Sequence, residues 1–318
     1  MFRRAIIILL FSLFVYKIEA QDAHLSQFYS APLYLNPAMA GTTGGIRISS
    51  SYRLQWPNIN GGFQTINYCT DAYLSKVRGG IGLVFQNNIS PQGILQNKHI
   101  GLIYSQQIKL FGGKIIIAPA LQFSFLQYSL DWSKLSFGDQ IDPRRGFVWG
   151  TQEIPGSYPI QKTSMLDFGT GLVLYTSRLN LGAALHHFTQ PGYGFIYGTM
   201  LPMKLTLHGA YTFGNISEEK GCSFTSNFLI LKQLDFQEYV LGTSFKYNRI
   251  VAGLAYRVND ALIGYAGFQN RFFKLVYSYD AGVSKLTQTG GAHEVSLQGF
   301  FGKKLNKEGR ITYTPLSP

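Results

Sequence analysis

Charge is scarce in this sequence. Asp, Glu, Lys and Arg make up 14% of its 318 residues, against about 25% in an ordinary soluble domain, so part of the surface faces something other than water. Cysteine is scarcer still. Cys69 and Cys222 are the two present; they allow one bridge at most and exclude a disulfide scaffold, and two separate small apolar residues on distant strands is the plainer reading. Long apolar runs are missing as well. After residue 20 nothing approaches the roughly 18 residues that mark a membrane-crossing helix, which excludes a helical membrane protein.

The marks of catalysis are also lacking. There is no Gly-x-Ser-x-Gly elbow and no Gly-x-x-x-x-Gly-Lys-Ser/Thr phosphate loop, and the glycine pairs at 44/45, 61/62, 79/80, 112/113 and 290/291 read as turns or strand starts. His186, His187, His208 and His293 raise the question of a metal. Neighbours on a strand point to opposite faces, so His186 and His187 are not expected to share an ion. These residues point to no enzyme, no metal and no cofactor.

What is abundant favours strands. Hydrophobic residues make up 46% and aromatics 15% of the chain, with 35 glycines; aromatics fit a pleated sheet, whereas glycine weakens a helix by roughly 1 kcal/mol. The net charge of +12 suggests nucleic acid, an anionic lipid surface or an acidic partner. Nucleic acid is the least supported, because no basic cluster stands beside a recognition helix.

Residues 1–20 read as a secretory signal: Arg3 and Arg4 form a basic start, residues 5–16 an apolar run, and Ala20 precedes the polar Gln21. About twelve apolar residues are too few to cross a ~30 Å hydrocarbon core. Ile18 is larger than the small residue usual at that cleavage position, and no cysteine follows the cut to carry a lipid anchor.

Alternation then dominates. In residues 203–213 Met203, Leu205, Leu207, Tyr211 and Phe213 share one face, and Lys204, Thr206, His208 and Thr212 the other, a period of two that marks a strand with one apolar and one polar side. Fourteen segments read this way: 46–53, 62–74, 79–88, 97–110, 113–128, 165–176, 178–187, 203–213, 222–232, 237–248, 250–257, 261–270, 272–280 and 293–303. The expected fold is all-β, a transmembrane antiparallel up-and-down barrel of about 14 strands over residues 46–303, with twelve or sixteen strands left open. The proline-bearing stretches 129–164 and 188–202 read as long loops on one rim, opposite very short turns on the other. A soluble sandwich or propeller also alternates, but it would not place so many aromatics on its outer faces.

Asp167, Lys204, His208, Glu238, Lys246, Asp280 and Glu294 fall mostly on the polar face, which in a barrel is the lumen; at mid-membrane on the lipid side a Lys or Arg costs roughly 2–4 kcal/mol. Residues 21–45 are too apolar for a free tail, and Pro32 and Pro37 forbid a continuous helix. They read as an extended segment packing on the barrel's own interior or rim, or on a partner. Phe28, Tyr29, Leu33 and Tyr34, together with Trp56, are the candidate partner or plug contacts. Residues 304–318 form a basic tail.

Several motifs carry a resemblance: Ser26-Gln27-Phe28-Tyr29, Pro32-Leu33-Tyr34-Leu35-Asn36-Pro37-Ala38 with Ala40-Gly41, Tyr52-Arg53-Leu54-Gln55-Trp56, Asp167-Phe168-Gly169-Thr170-Gly171, His186-His187-Phe188-Thr189-Gln190-Pro191, Tyr256-Arg257-Val258-Asn259-Asp260, and Gly290-Gly291-Ala292-His293-Glu294. In this order, across almost the whole chain, they resemble the PorP/SprF family of outer-membrane proteins linked to type IX secretion and gliding motility. The tail after the last strand departs from a chain that ends near a terminal aromatic.

The resemblance implies a barrel in the bacterial outer membrane, reached after cleavage near Ala20. It also implies work with other type IX secretion components to export, bind and anchor a large secreted surface protein through its C-terminal domain, and no catalytic residues. The alternative is a diffusion channel for small solutes, which needs an open lumen. A barrel enzyme acting on lipids would need a nucleophile and base clustered at the rim, and none is visible.

Overall fold

A period of two gives each segment one face for lipid and one for the interior, and the strands close on themselves. A computed structural model of the chain describes residues 22–148, 150–151, 160–192, 195, 199–214, 221–283 and 289–302; the expected signal segment, the tail 304–318, Pro155 and Pro159 lie outside them. The strands are β1 (Ile46–Gln55), β2 (Phe63–Leu74), β3 (Gly79–Ile89), β4 (Leu95–Gln106), β5 (Ile115–Asp131), β6 (Ile160–Tyr175) and β7 (Leu179–His186). They continue with β8 (Lys204–Gly214), β9 (Cys222–Gln233), β10 (Phe236–Tyr247), β11 (Ile250–Arg257), β12 (Ala261–Gln269), β13 (Phe273–Gly282) and β14 (Ala292–Phe301). Each pairs antiparallel with its chain neighbour, Ile108–Leu110 prolongs β4 against β5, and β1 meets β14 from Ile46↔Phe301 to Gln55↔Ala292. The sheet is therefore a closed 14-stranded barrel with no free edge around its middle.

The interior is the polar side. On β8 the side chains of Lys204, Thr206, His208 and Thr212 are buried, while Met203, Leu205, Leu207, Tyr211 and Phe213 are exposed. Leu241 at 62% and Leu254 at 60% exposed have no place on a water-facing wall; lipid is the solvent that makes this arrangement stable. No helix among the described residues is long and apolar enough to cross a membrane.

Short connections gather on one rim, such as Asn248-Arg249 between β10 and β11, where Asn248 takes φ 54°, the left-handed conformation a two-residue hairpin needs. The described residues of the β5–β6 and β7–β8 connections, among them 132–148 and 187–192, lie on the other. There β5 (17 residues) and β6 (16 residues) run past the expected ends at 128 and 165, well beyond the roughly 9–11 residues that span a bilayer. β7 follows β6 as far as Leu185↔Thr170, so the β5–β6 hairpin stands above that neighbour as an arm. Its polar tip, where alternation has faded from the sequence, is held by pairing from Gln127↔Ser164 to Asp131↔Ile160 and by β4, which follows β5 as far as Leu95↔Leu130.

Cys69 is buried in β2 and Cys222 exposed at the start of β9, and both are free.

Candidate functional site

Residues 22–45 thread the lumen from the long-loop rim to the short-turn rim. At the first end Asp22 meets Lys204 and His187; at the last Gly41 donates its N–H to Asp71 and lies against Gly80. The segment is not extended, as the prolines had suggested, but coils into three single turns: Phe28–Ser30, Pro32–Leu35 and Pro37–Met39. Proline forbids a continuing helix yet suits the first position of a turn, where its fixed φ is already correct and its missing N–H costs nothing. Asn36 caps the third turn by accepting from Ala38 N at 2.9 Å.

The wall is cut to receive these turns. A β-carbon on Gly171 would lie 2.1 Å from Asn36 Oδ1, and one on Gly182 2.9 Å from Asn36 Nδ2. Through that gap Asn36 donates to Leu172 O (3.2 Å) and Ala183 O (3.1 Å). At the short-turn end Gly80 and Gly41 pass backbone to backbone, with Gly41 at φ +72°, a conformation glycine adopts freely. Leu33 and Ala40 pack there against Cys69, Val84 and Ile103, and Ala38 and Met39 against Ala118 and Val173. Cavities of about 10 Å³ beside His186 and Gln122 and about 30 Å³ beside Leu25 and Phe28 adjoin the segment, each with room for about one or two waters.

Charge fixes the outer half. Arg53 reaches Asp280 (3.0 Å) and Glu294 (3.4 Å), and Arg257 reaches Asp280 (3.2 Å) and Glu238 (3.4 Å). Ser26 enters this network through its hydroxyl to Asp280 and its N–H to Glu294 Oε2 at 2.7 Å, and Gln27 N donates to Glu294 Oε1 at 3.1 Å. A second group binds the first described residue: Asp22 Oδ2 lies 2.7 Å from Lys204 Nζ and 2.9 Å from His187 Nε2, and His187 Nδ1 lies 2.7 Å from Asp167. Lys204 also lies over the Tyr34 ring at 4.5 Å.

Burial pushes the Asp22 carboxyl up, but Lys204 and His187 outweigh it and hold it well below the usual carboxylate range. Burial alone would lower His187; the Asp22 and Asp167 carboxylates raise it to about 9. His24, partly buried and facing Arg257 and Arg53, is pulled well below the usual histidine range by desolvation and by those two cations, so its 3.6 Å approach to Glu238 is not an ion pair near neutral pH. At the inner end Arg47 pairs with Asp71 at 2.8 Å and donates to Met39 O at 2.9 Å.

Of the residues singled out from the sequence, Phe28, Tyr29 and Leu33 are buried in the segment, and Tyr34 is partly buried beneath Lys204. Trp56 stands apart on the long-loop rim, edge-on to Phe63 at 5.6 Å. Asp167, Lys204, His208, Glu238, Asp280 and Glu294 are buried in the lumen. Asp167 and Lys204 join the Asp22 group, Glu238, Asp280 and Glu294 join the arginine network, and His208 sits with Tyr29 Oη (3.4 Å) and Asn36 (3.2 Å). Lys246 is half-buried on the inward face of β10, towards the opposite rim.

One geometric expectation fails. His186 and His187 are both buried, because β7 ends at His186 and His187 turns inward with φ 57°. Among the described residues no group of three or more His, Cys, Asp or Glu is placed to hold a metal ion.

Sequence reasoning missed the partners of the carboxylates. Arg53 shares an inward face with Arg47, Ser49 and Ser51, and it stands in the same motif as Trp56, so the signal was present. Ser26 and Asn36 likewise stand in the quoted motifs, whereas Asp22 carried no signal beyond its place beside an apolar stretch.

Residues 17–298 match the family described as type IX secretion system membrane protein PorP/SprF. The chain belongs to the PorP/SprF family. Among solved structures it is similar to the Acinetobacter baumannii outer membrane protein Omp33 (7% identity, 81% of this chain and 98% of that one, TM-score 0.41). It is also similar to the P. putida toluene transporter TodX (13%, 84% and 92%, TM-score 0.44) and the CymD monoaromatic hydrocarbon channel (14%, 86% and 93%, TM-score 0.44). None of these likenesses bears on what this barrel binds. No curated relative matches the chain. As a PorP/SprF barrel it sits in the outer membrane, where the long-loop rim faces outward and the short-turn rim the periplasm.

Proposed function

We propose that this PorP/SprF barrel binds and anchors a large secreted surface protein through its C-terminal domain, gripping it at the long-loop rim with the lumen closed. The observation that carries this reading is the occupation of the lumen by residues 22–45, tied to the wall at the outer end through Asp22 and Lys204 and at the inner end through Gly41 to Asp71 and Met39 O to Arg47. A plugged barrel has its outer rim left to work with. That rim bears the β5–β6 arm, the stacked pair Trp132 and Phe137 at 6.3 Å, and exposed Phe147, Phe188 and Met200. Aromatic and methionine side chains of this kind anchor interfaces, and above Phe168, where Phe188 N makes the last backbone bond, the edge of β6 has no strand partner among the described residues and suits strand addition. Phe28, Tyr29 and Leu33 act in the plug, and Trp56 on the rim. Maturation follows cleavage near Ala20, with residues 304–318 as a periplasmic extension. The channel alternative requires the segment to leave.

The test is to extract tagged protein from outer membranes in mild detergent and identify by mass spectrometry what accompanies it. We then repeat the extraction with residues 132–151 replaced by a short Gly-Ser turn. The reading expects a surface protein, or its C-terminal domain, in near-equal amount with the native barrel and its loss with the shortened loop. A barrel that emerges alone, or a partner retained without that loop, contradicts it.

A further inference from the structure

The two rims differ in charge. The long-loop rim mixes signs, with Asp139, Asp142, Asp235 and Asp260 among Lys134, Arg144 and Arg145. On the short-turn rim the β2–β3 turn carries Lys76 and Arg78, the β4–β5 connection Lys109 and Lys114, and the next three described turns Arg178, Arg249 and Arg271, all exposed. These five connections hold no Asp or Glu, although Glu218 and Glu219 lie in the sequence between β8 and β9. Among the described residues no ion pair joins any of the seven cations to a carboxylate.

Large apolar side chains stand directly beside the cations. Phe111 is 76% exposed between Lys109 and Lys114, Val77 lies between Lys76 and Arg78, and Ile250 follows Arg249. The Arg271 guanidinium lies 4.4 Å over the Phe272 ring. The cations are spread around the barrel, where each turn leaves the apolar wall.

We propose that the short-turn rim is a binding belt for anionic phospholipid headgroups. Its Lys and Arg meet the lipid phosphates while the neighbouring apolar side chains enter the acyl boundary. Interleaved cations and aromatics are what a membrane–water interface accommodates, and basic residues there attract anionic lipid. An acidic protein docking from one side would meet only some of the turns and would not need apolar side chains directed at the bilayer. The inference is independent of what binds the outer rim.

To test it, the full-length protein is placed in nanodiscs of phosphatidylcholine with a minor fraction of phosphatidylglycerol. The lipids retained after mild extraction are then counted by native mass spectrometry. Phosphatidylglycerol is expected several-fold above its bulk fraction, falling as salt is raised. Arg78→Gln, Lys114→Gln, Arg178→Gln, Arg249→Gln and Arg271→Gln together should return it to the bulk ratio, since each cation contributes up to about fivefold. A charge-preserving variant with lysine at the four arginine positions should keep the enrichment, and the heat-dependent gel shift of a folded barrel checks all three proteins. Bulk composition around the native protein overturns the proposal. So does enrichment that survives the glutamines while only an acidic protein's binding is lost, or equal loss in both variants.

Discussion

The two halves of the luminal segment are held by different physics. Residues 22–30 lie among buried charges: Asp22 against Lys204 and His187, and Ser26 and Gln27 on Glu294 and Asp280, which Arg53 and Arg257 neutralise. Residues 31–42 lie mostly against small apolar side chains and glycine backbone, with Arg47 and Asp71 as the one charge pair described there. Apolar packing is non-directional and responds little to pH, whereas a desolvated charge network depends on every member being present. The inner half therefore acts as the anchor. The outer half is the one that solution conditions, or a partner on the outer rim, can loosen.

The hardest blow to the outer half is Arg53→Met. It leaves Asp280 and Glu294 facing each other with one cation less, at an expected loss of about 3–5 kcal/mol, read by urea unfolding in detergent. In the inner half Leu33→Ala removes a side chain with 0% exposure and should cost about 3 kcal/mol in the same assay, with no dependence on salt or pH. A loss for Leu33→Ala that changes with pH would erase the distinction between the halves.

A pH series sharpens it. His187 binds its proton more tightly in the folded protein, between Asp22 and Asp167, than in the unfolded chain. Its contribution is complete below about pH 6.5 and is lost as pH rises through about 9. Asp22, depressed by Lys204 and His187, gives the opposite arm, present above the ordinary carboxylate range and lost in acid. Stability should be flat between about pH 5 and 6.5 and fall from there to about pH 9 by on the order of 3 kcal/mol, and His187→Gln should remove that step. Asn36→Ala, within the inner half, should cost the least, about 1 kcal/mol for the lost cap and wall contacts.

Much of the barrel was legible because its alternation is a local signal: β8, β10 and β13 each show their two faces within about ten residues. What was not legible depended on contacts distant in sequence. The outer ends of β5 and β6 lose alternation, and pairing with each other, with β4 on the far side of β5, keeps them in strand. Arg53 finds Asp280 across 227 positions, so neither residue announced the other, although both stood on polar faces. The parity rule misplaced His187 because one residue beyond the strand, with positive φ, was enough to turn the ring inward. Prolines 32 and 37 told correctly that no continuous helix forms, but they could not distinguish an extended chain from three capped turns.

The central claim is that residues 22–45 close the lumen, and planar-bilayer conductance tests it most directly. The native barrel should be silent, and a variant lacking residues 22–40 should conduct, because a 14-stranded barrel without its filling approaches the size that leaves an aqueous passage. Steady conductance from the native protein, or silence from a deletion variant that still shows the folded gel shift, would contradict the account.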